Sequence, residues 1–290
     1  MLAGLFISAC DRSDVAAPPP GPRIVSTVPA ATLNLVQIGA VDSLVGVSKF
    51  DTLFLPESKQ NLPIVGDYEN LNYERLMSLR PSVLVIQTSE PRMPARLKDL
   101  ASKRRFEIVN IRLEAVGDLW NVVQTLGCIS GREAGADAAI ARAQRELVEI
   151  VEQYKDQPKP RVVYIVFSES LMIVGGETIL DEMITMAGGE NVGAQVGNGW
   201  PVINMEALVK LNPDVLLIGK PDEPPQRSND PRLATWQRMN IPAVRNKRVF
   251  LVTDGGIHVA SLQLPQQVRM LADMIHKKAP SSDPASRGEQ

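Results

Sequence analysis

One unit of this sequence occurs twice, and that repetition limits the folds open to the chain more than any other feature. Val65-Gly-Asp-Tyr-Glu-Asn-Leu-Asn-Tyr-Glu-Arg-Leu-Met-Ser-Leu-Arg-Pro-Ser-Val-Leu-Val-Ile86 is echoed by Gly197-Asn-Gly-Trp-Pro-Val-Ile-Asn-Met-Glu-Ala-Leu-Val-Lys-Leu-Asn-Pro-Asp-Val-Leu-Leu-Ile218. At a constant spacing of 132 residues, Tyr68 falls on Trp200, Asn72 on Asn204, Glu74 on Glu206, Leu76 on Leu208, Leu79 on Leu211 and Pro81 on Pro213. Each copy predicts an irregular loop with one large aromatic, an Asn N-cap, a short helix with Glu in its first turn, a proline stop and a buried strand. Two similar α/β lobes follow. Each presents an aromatic at a loop and a carboxylate at a helix start.

Between the copies, Arg132 to Tyr154 predicts one long helix. Ala136, Ile140, Ala143, Leu147, Ile150, Val151 and Tyr154 set a narrow apolar stripe at helical spacing. On the charged face Arg142 reaches Glu146 and Arg145 reaches Glu149, each pair adding about 0.3 kcal/mol. Gln157-Pro158-Lys159-Pro160 stops the helix, because proline withdraws an amide donor and disfavours helical geometry before it. At about 1.5 Å per residue the helix spans roughly 35 Å, longer than a crossover in a small domain requires. It is expected to act as a strut between the lobes.

The rest of the chain alternates strands with helices, which implies parallel sheets with both faces covered. Residues 23–115 are assigned to a first lobe, with strands at 23–27, 44–47 and 107–111 and helices near 31–39 and 93–103. Residues 116–157 form the connecting region that holds the backbone helix. Residues 158–278 form the second lobe, with strands at 161–167 and 248–252 and helices at 178–187, 232–239 and 261–278; residues 222–231 read as an exposed loop. Residues 279–290 are expected to be a disordered tail. A chain of 290 residues, 44% of them hydrophobic, has enough material for two such domains. Its net charge of −2 argues against a nucleic-acid partner.

The start of the chain carries a different message. Met1-Leu-Ala-Gly-Leu-Phe-Ile-Ser-Ala-Cys10 is an apolar run ending in small residues before a cysteine, the pattern of a bacterial lipoprotein signal, with Ile7-Ser8-Ala9-Cys10 as the lipobox. The basic leader and longer apolar segment of a complete signal are missing, so the native start is expected upstream. Cys10 is the expected site of lipid attachment, the alternative being a disordered apolar tail with a chance cysteine, and residues 1–22 are read as signal remnant and stiff, proline-rich tether. Cys128, left without a partner, is expected to be an inert buried thiol.

Candidate binding residues follow from the rule that ligands in open α/β sheets sit beyond the carboxyl ends of strands. Phe50 and Tyr68 each lie just past an extended segment. Trp200, between Gly199 and Pro201, sits in an irregular loop where a core tryptophan is out of place, and reads as a ligand contact. His258 reads either as a loop histidine without chemical consequence or as a neutral imidazole able to ligate iron. Glu74 and Glu206 are both favoured by the helix macrodipole alone, yet their pairing across the lobes gives them a second reading as docking groups. No phosphate-binding Gly-Lys-Ser/Thr loop, dinucleotide glycine fingerprint, nucleophile elbow or Cys-x-x-Cys pair is present, which disfavours an enzyme. Two distant histidines do not make a dense metal site, and neither a resident cofactor nor a protein-held metal is expected.

From Arg23 to Ile275 the chain resembles the class III, or cluster A, substrate-binding proteins of bacterial ABC importers, and within them the cobalamin-binding pattern most closely. The resemblance is carried by Val45-Gly-Val-Ser-Lys-Phe50, by Tyr68 with Asn72-Tyr-Glu74-Arg-Leu, by Gly175-Gly-Glu with Ala187-Gly-Gly-Glu-Asn191, and by Trp200-Pro201 with Glu206. Tyr68 stands where that pattern has an indole, and Asp254-Gly-Gly-Ile-His258 departs from its acid-and-arginine ligand loop. The resemblance implies two Rossmann-like lobes joined by a single backbone helix, and a monomer that is lipid-anchored outside the cytoplasm. It further implies aromatics at Phe50, Tyr68, Phe167 and Trp200 packing on a ligand between the lobes, and carboxylates at Glu74 and Glu206 docking on a permease. Such a cleft suits a large, flat metal chelate. A corrinoid ranks first, and a ferric siderophore or haem second, haem calling on Tyr68 with His258 as axial donors. A two-lobed α/β enzyme is the more remote alternative.

Overall fold

Each half of the chain builds its own sheet. In the first, β1 (Ile24–Ser26), β2 (Leu44–Val47), β3 (Val83–Ile86) and β4 (Glu107–Asn110) lie in the order β2-β1-β3-β4 with every pairing parallel. Helices α1 (Pro29–Gln37), α2 (Tyr73–Ser78) and α3 (Ala95–Arg104) connect them. Then α4 (Val116–Ser130) and the long α5 (Glu133–Tyr154) carry the chain to the second half. There follow β5 (Arg161–Phe167), β6 (Met172–Ile173), α6 (Ile179–Met186), β7 (Glu190–Asn191), α7 (Met205–Leu211), β8 (Val215–Gly219), α8 (Pro242–Arg245), β9 (Val249–Val252) and α9 (Leu264–His276). Their order is β6-β5-β8-β9 with β7 also on β5, and β6 alone runs antiparallel. The computed structural model describes residues 21–67, 70–220 and 233–276. Cys10 and most of the tether, Tyr68, the 222–231 loop and the 279–290 tail lie outside the described residues.

Alternation along the strands distributes side chains to two layers. Val83 and Val85 of β3, and Val162 and Tyr164 of β5, face one extended apolar core, whereas Leu84, Ile86, Val163 and Ile165 face smaller cores on the outer sides of the two sheets. The extended core runs through both lobes. Leu35 of α1, Leu126 of α4, Ile150 of α5, Ile184 of α6 and Leu271 of α9 all belong to it.

The repeated unit folds alike in both lobes. Asn72 Oδ1 accepts from Arg75 N (2.9 Å) and Asn204 Oδ1 from Ala207 N (2.8 Å), so both predicted N-caps form. Each short helix ends in a left-handed residue directly before the proline, Arg80 (φ 46°) and Asn212 (φ 47°). An arginine at the start of each sheet, Arg23 just before β1 and Arg161 opening β5, then grips that end: Arg23 Nη2 donates to Leu79 O (2.7 Å) and Arg161 Nη2 to Leu211 O (2.9 Å). The backbone amides of the same two arginines meet Ser82 Oγ and Asp214 Oδ2.

The stripe of α5 is narrower than expected. Ala136, Ala139, Ala143, Leu147, Ile150 and Tyr154 are buried, while Ile140 is half-buried and Val151, turned about 100° from Ile150, is 40% exposed. Neither expected ion pair forms on this helix; Glu146 instead accepts from Gln266 of α9 at 3.5 Å. Cys128, expected to be buried, is exposed, because the inward face of α4 is set by Leu119, Val122, Val123 and Leu126. In place of the helix expected at 232–239, only a single turn at Trp236–Arg238 forms, followed by α8.

Polar bonds cross between the lobes. The wholly buried Asn34 of α1 donates to Ala260 O (3.0 Å) and accepts from Leu262 N (3.0 Å), and Gln37 Oε1 accepts from the same amide (3.0 Å). At the start of α4, Val116 N donates to Glu182 Oε2 of α6 at 3.2 Å.

Candidate functional site

The carboxyl ends of both sheets open on one cavity. Val28 after β1, Gln87 after β3 and Glu114 after β4 contribute from the first lobe; Phe167 at the end of β5 with Ser168 and Glu169 beyond it, Lys220 after β8 and Ile257 to Ala260 after β9 contribute from the second. Its volume is about 990 Å³, at the upper end of the roughly 300–1,000 Å³ common for small-molecule sites.

Trp200 is held in this wall by a backbone clamp. Gly175 N donates to Gly199 O (2.9 Å), Gly176 N to Gly197 O (2.9 Å), and Gly199 N returns to Gly176 O (2.8 Å). The approach requires glycine, since a Cβ on Gly175 would lie 2.3 Å from Gly197 O. Trp200 is thereby fixed while 48% exposed, and Phe167, the last residue of β5, is 56% exposed on the same cavity. Two large aromatics left in solvent at one concave site form an apolar surface ready to be covered.

Charge in the wall is sparse and mainly negative. Among the described lining residues the charged ones are Glu114, Glu169, Glu177 and Lys220. Lys220 Nζ lies 3.4 Å from Glu169 Oε1, and Arg112 pairs with Glu114. Glu169 is held below the usual carboxylate range, first by its own backbone amide and then by Lys220.

His258 also lines the cavity, with Nε2 3.5 Å from the hydroxyl of Tyr164 and the two rings edge to face at 5.9 Å. Tyr164 is fully buried, and burial, with Asp254 adding to it, pushes its phenol well above the ordinary range. The phenol therefore stays protonated and can donate to Nε2.

Of the residues singled out from sequence, Phe167, Trp200 and His258 meet at this cavity. Phe50 does not reach its lining; it follows β2, 42% exposed, with Lys49 Nζ 4.8 Å from its ring centroid. Glu74 and Glu206 are exposed in the first turns of α2 and α7, away from the lining, and Glu206 pairs with Lys210 at 2.9 Å. Sequence reasoning missed Ser168, Glu177, Lys220 and Gln267. The strand-end rule could have found Ser168 and Lys220, and Gln267 interrupts the apolar stripe Leu264, Val268, Leu271 and Ile275 of α9.

The family described as periplasmic binding protein matches residues 24–254. This chain belongs to that family. As a periplasmic binding protein it is a solute carrier rather than an enzyme, and it works outside the cytoplasm. A vitamin B12-binding protein of Vibrio campbellii is 26% identical over 242 residues, covering 82% of this chain and 84% of its own length. An uncharacterised ABC transporter substrate-binding lipoprotein of Bacillus subtilis is 26% identical over 259 residues, covering 88% and 80%. The crystal structure of the periplasmic heme-binding protein HutB of Vibrio cholerae shares the fold with a TM-score of 0.75 at 22% identity, over 88% of this chain and 99% of that one.

Proposed function

We propose that this periplasmic binding protein captures a large, flat metal chelate between its lobes and hands it to the membrane subunits of an ABC importer, with a corrinoid as first choice. The observation that carries the proposal is the cavity of about 990 Å³ in which Phe167 and Trp200 stand exposed and only one cation is present among the described lining residues. Burial of apolar ligand surface at about 25 cal/mol per Å² supplies most of the affinity, and a few polar groups fix orientation. A ferric siderophore with several negative charges calls for a basic cluster, but Lys49 is bound to Asp67 at 2.9 Å and neither it nor Arg92 lines the cavity. Haem calls for an axial donor, and the hydroxyl of Tyr164 competes for His258 Nε2. The likeness to a vitamin B12-binding protein favours the same ranking. In this reading Phe50 and Tyr68 extend the aromatic surface on the first lobe. Lipid on Cys10 anchors a monomeric carrier to the membrane, and Cys10→Ala in a precursor with a complete signal should leave the membrane fraction.

Titration with cyanocobalamin, haem and a ferric catecholate, read by tryptophan fluorescence, tests the proposal. Cyanocobalamin should quench most strongly, and Trp200→Ala should remove most of that response. A protein that binds none of the three better than about millimolar, a free energy near −4 kcal/mol, overturns the chelate reading.

A further inference from the structure

Behind His258 the cavity wall stands on a buried phenol. Tyr164 of β5 has no exposed surface, and its hydroxyl reaches His258 Nε2 at 3.5 Å with the two rings edge to face. Among the described residues that nitrogen is the one hydrogen-bond partner of the hydroxyl. A buried O–H without an acceptor carries its full desolvation penalty, so the phenol donates and Nε2 accepts. Room for this contact is kept by a glycine. A Cβ on Gly219, the last residue of β8, would stand 3.2 Å from the hydroxyl and 3.3 Å from His258 Nε2. The backbone of Gly219 lies outside the left-handed region and does not itself call for glycine, which weakens a buried strand. What the glycine provides is space for Tyr164 and His258 to meet.

The consequence is chemical. A neutral imidazole that accepts at Nε2 carries its hydrogen on Nδ1, and a nitrogen that bears hydrogen has no lone pair to give a metal. His258 is exposed on the cavity, within reach of a bound chelate, yet in this state neither nitrogen can ligate. For Nε2 to bind a metal it must leave the phenol, and the buried hydroxyl is then stranded. Ligation through Nδ1 moves the hydrogen to Nε2 and strands the hydroxyl equally. Resting on the chelate reading above, we infer that Tyr164 is a positioning residue that sets specificity: its hydroxyl withholds His258 from the metal of the ligand. The site thereby favours chelates whose metal keeps its own axial ligands over those that need a donor from the protein.

Nitrogen-15 NMR of the empty protein at about pH 8, above the ordinary range of imidazole, reads the tautomer without any variant, and the hydrogen of His258 should lie on Nδ1. Absorbance titrations with cyanocobalamin, aquocobalamin and ferric haem then compare the unsubstituted protein, Tyr164→Phe, and Tyr164→Phe combined with His258→Ala. Aquocobalamin, whose axial water an imidazole can replace, should keep its visible spectrum on the unsubstituted protein and take on that of an imidazole adduct on Tyr164→Phe. Ferric haem should bind Tyr164→Phe at least about ten-fold more tightly than the unsubstituted protein, with the Soret band of an imidazole-ligated iron. Adding His258→Ala should abolish both changes, which a purely structural effect of Tyr164→Phe would survive. A His258 hydrogen on Nε2, or a Tyr164→Phe protein whose spectra match those of the unsubstituted one, overturns the inference; with cyanocobalamin still bound, the chelate reading stands. A protein that binds none of the three chelates removes both.

Discussion

At the scale of single residues, Asp51 shows how a short loop is made rigid. It is fully buried, yet its carboxylate accepts from Ser48 N (3.0 Å) and from the hydroxyls of Ser48, Thr32 and Ser26. It thus ties the segment after β2 to the end of β1 and to α1, beside the first lobe's part of the cavity. Burial is the strongest influence on its titration and outweighs the opposing hydrogen bonds, so its carboxyl lies above the usual range. The folded state then holds the proton more tightly than the unfolded chain does. The contribution to stability is complete below the unfolded value, about 3.9, and is lost as pH rises through the higher folded value. Asp51→Asn should flatten this part of the pH dependence, and Asp51→Ala, which strands the hydroxyls of Ser48 and Thr32, should cost about 3 kcal/mol. Urea unfolding from pH 4 to 7 checks both; an Asp51→Asn protein as pH-dependent as the wild type contradicts the assignment. None of this was legible in the sequence, where Asp51 is one more loop acid. Trp200 was legible because glycine and proline flank it, and Gln267 was missed because a lone polar residue in an apolar stripe was not asked what it meets.

Among elements, those written in the local sequence were the easiest to foresee. The two copies of the repeat announce their Asn caps and proline stops, and α2 and α7 form with both. The grip of Arg23 and Arg161 on those helix ends was hidden, because it joins residues 56 and 50 positions apart. Short pieces such as β6, β7 and α8 depend on neighbours far along the chain for their backbone partners and carry no period of their own. The junction of α5, α6 and α9 is another such product. His276 stacks on Tyr154 at 4.3 Å and donates from Nε2 to Ala187 O at 2.9 Å, with Gly188 (φ 77°) turning the chain between them. A Cβ on Gly188 would lie 2.7 Å from His276 Nε2 and 2.8 Å from Tyr154 Cβ. Gly188→Ala should therefore destabilise the protein by about 2–4 kcal/mol, combining left-handed strain with overpacking. A thermal melt that moves by less than a degree or two would falsify that account of the junction.

For the whole molecule, the repeat foretold two lobes but not how firmly they are joined. The extended apolar core passes from one sheet to the other through α5, and Asn34, Gln37 and Val116 bond across the divide. Buried bonds of this kind resist the hinge closure seen in carriers whose lobes meet only at flexible strands, so ligand binding should turn the lobes by no more than a few degrees. The Asn34 clasp has a consequence for traffic at the membrane. A carrier that hardly changes shape shows nearly the same outer face whether full or empty, so the permease has little means of turning empty carriers away. Empty carriers should then queue with full ones for the same berth, and import should slow when unloaded protein is added in excess. If Glu74 and Glu206 make the docking contacts, Glu74→Ala and Glu206→Ala should relieve this jam without altering ligand affinity, since both lie away from the cavity lining. Uptake by permease vesicles at fixed loaded carrier, with increasing empty carrier, measures it. Import that is indifferent to the empty form would mean that the permease does read occupancy, through a movement the clasp ought to forbid.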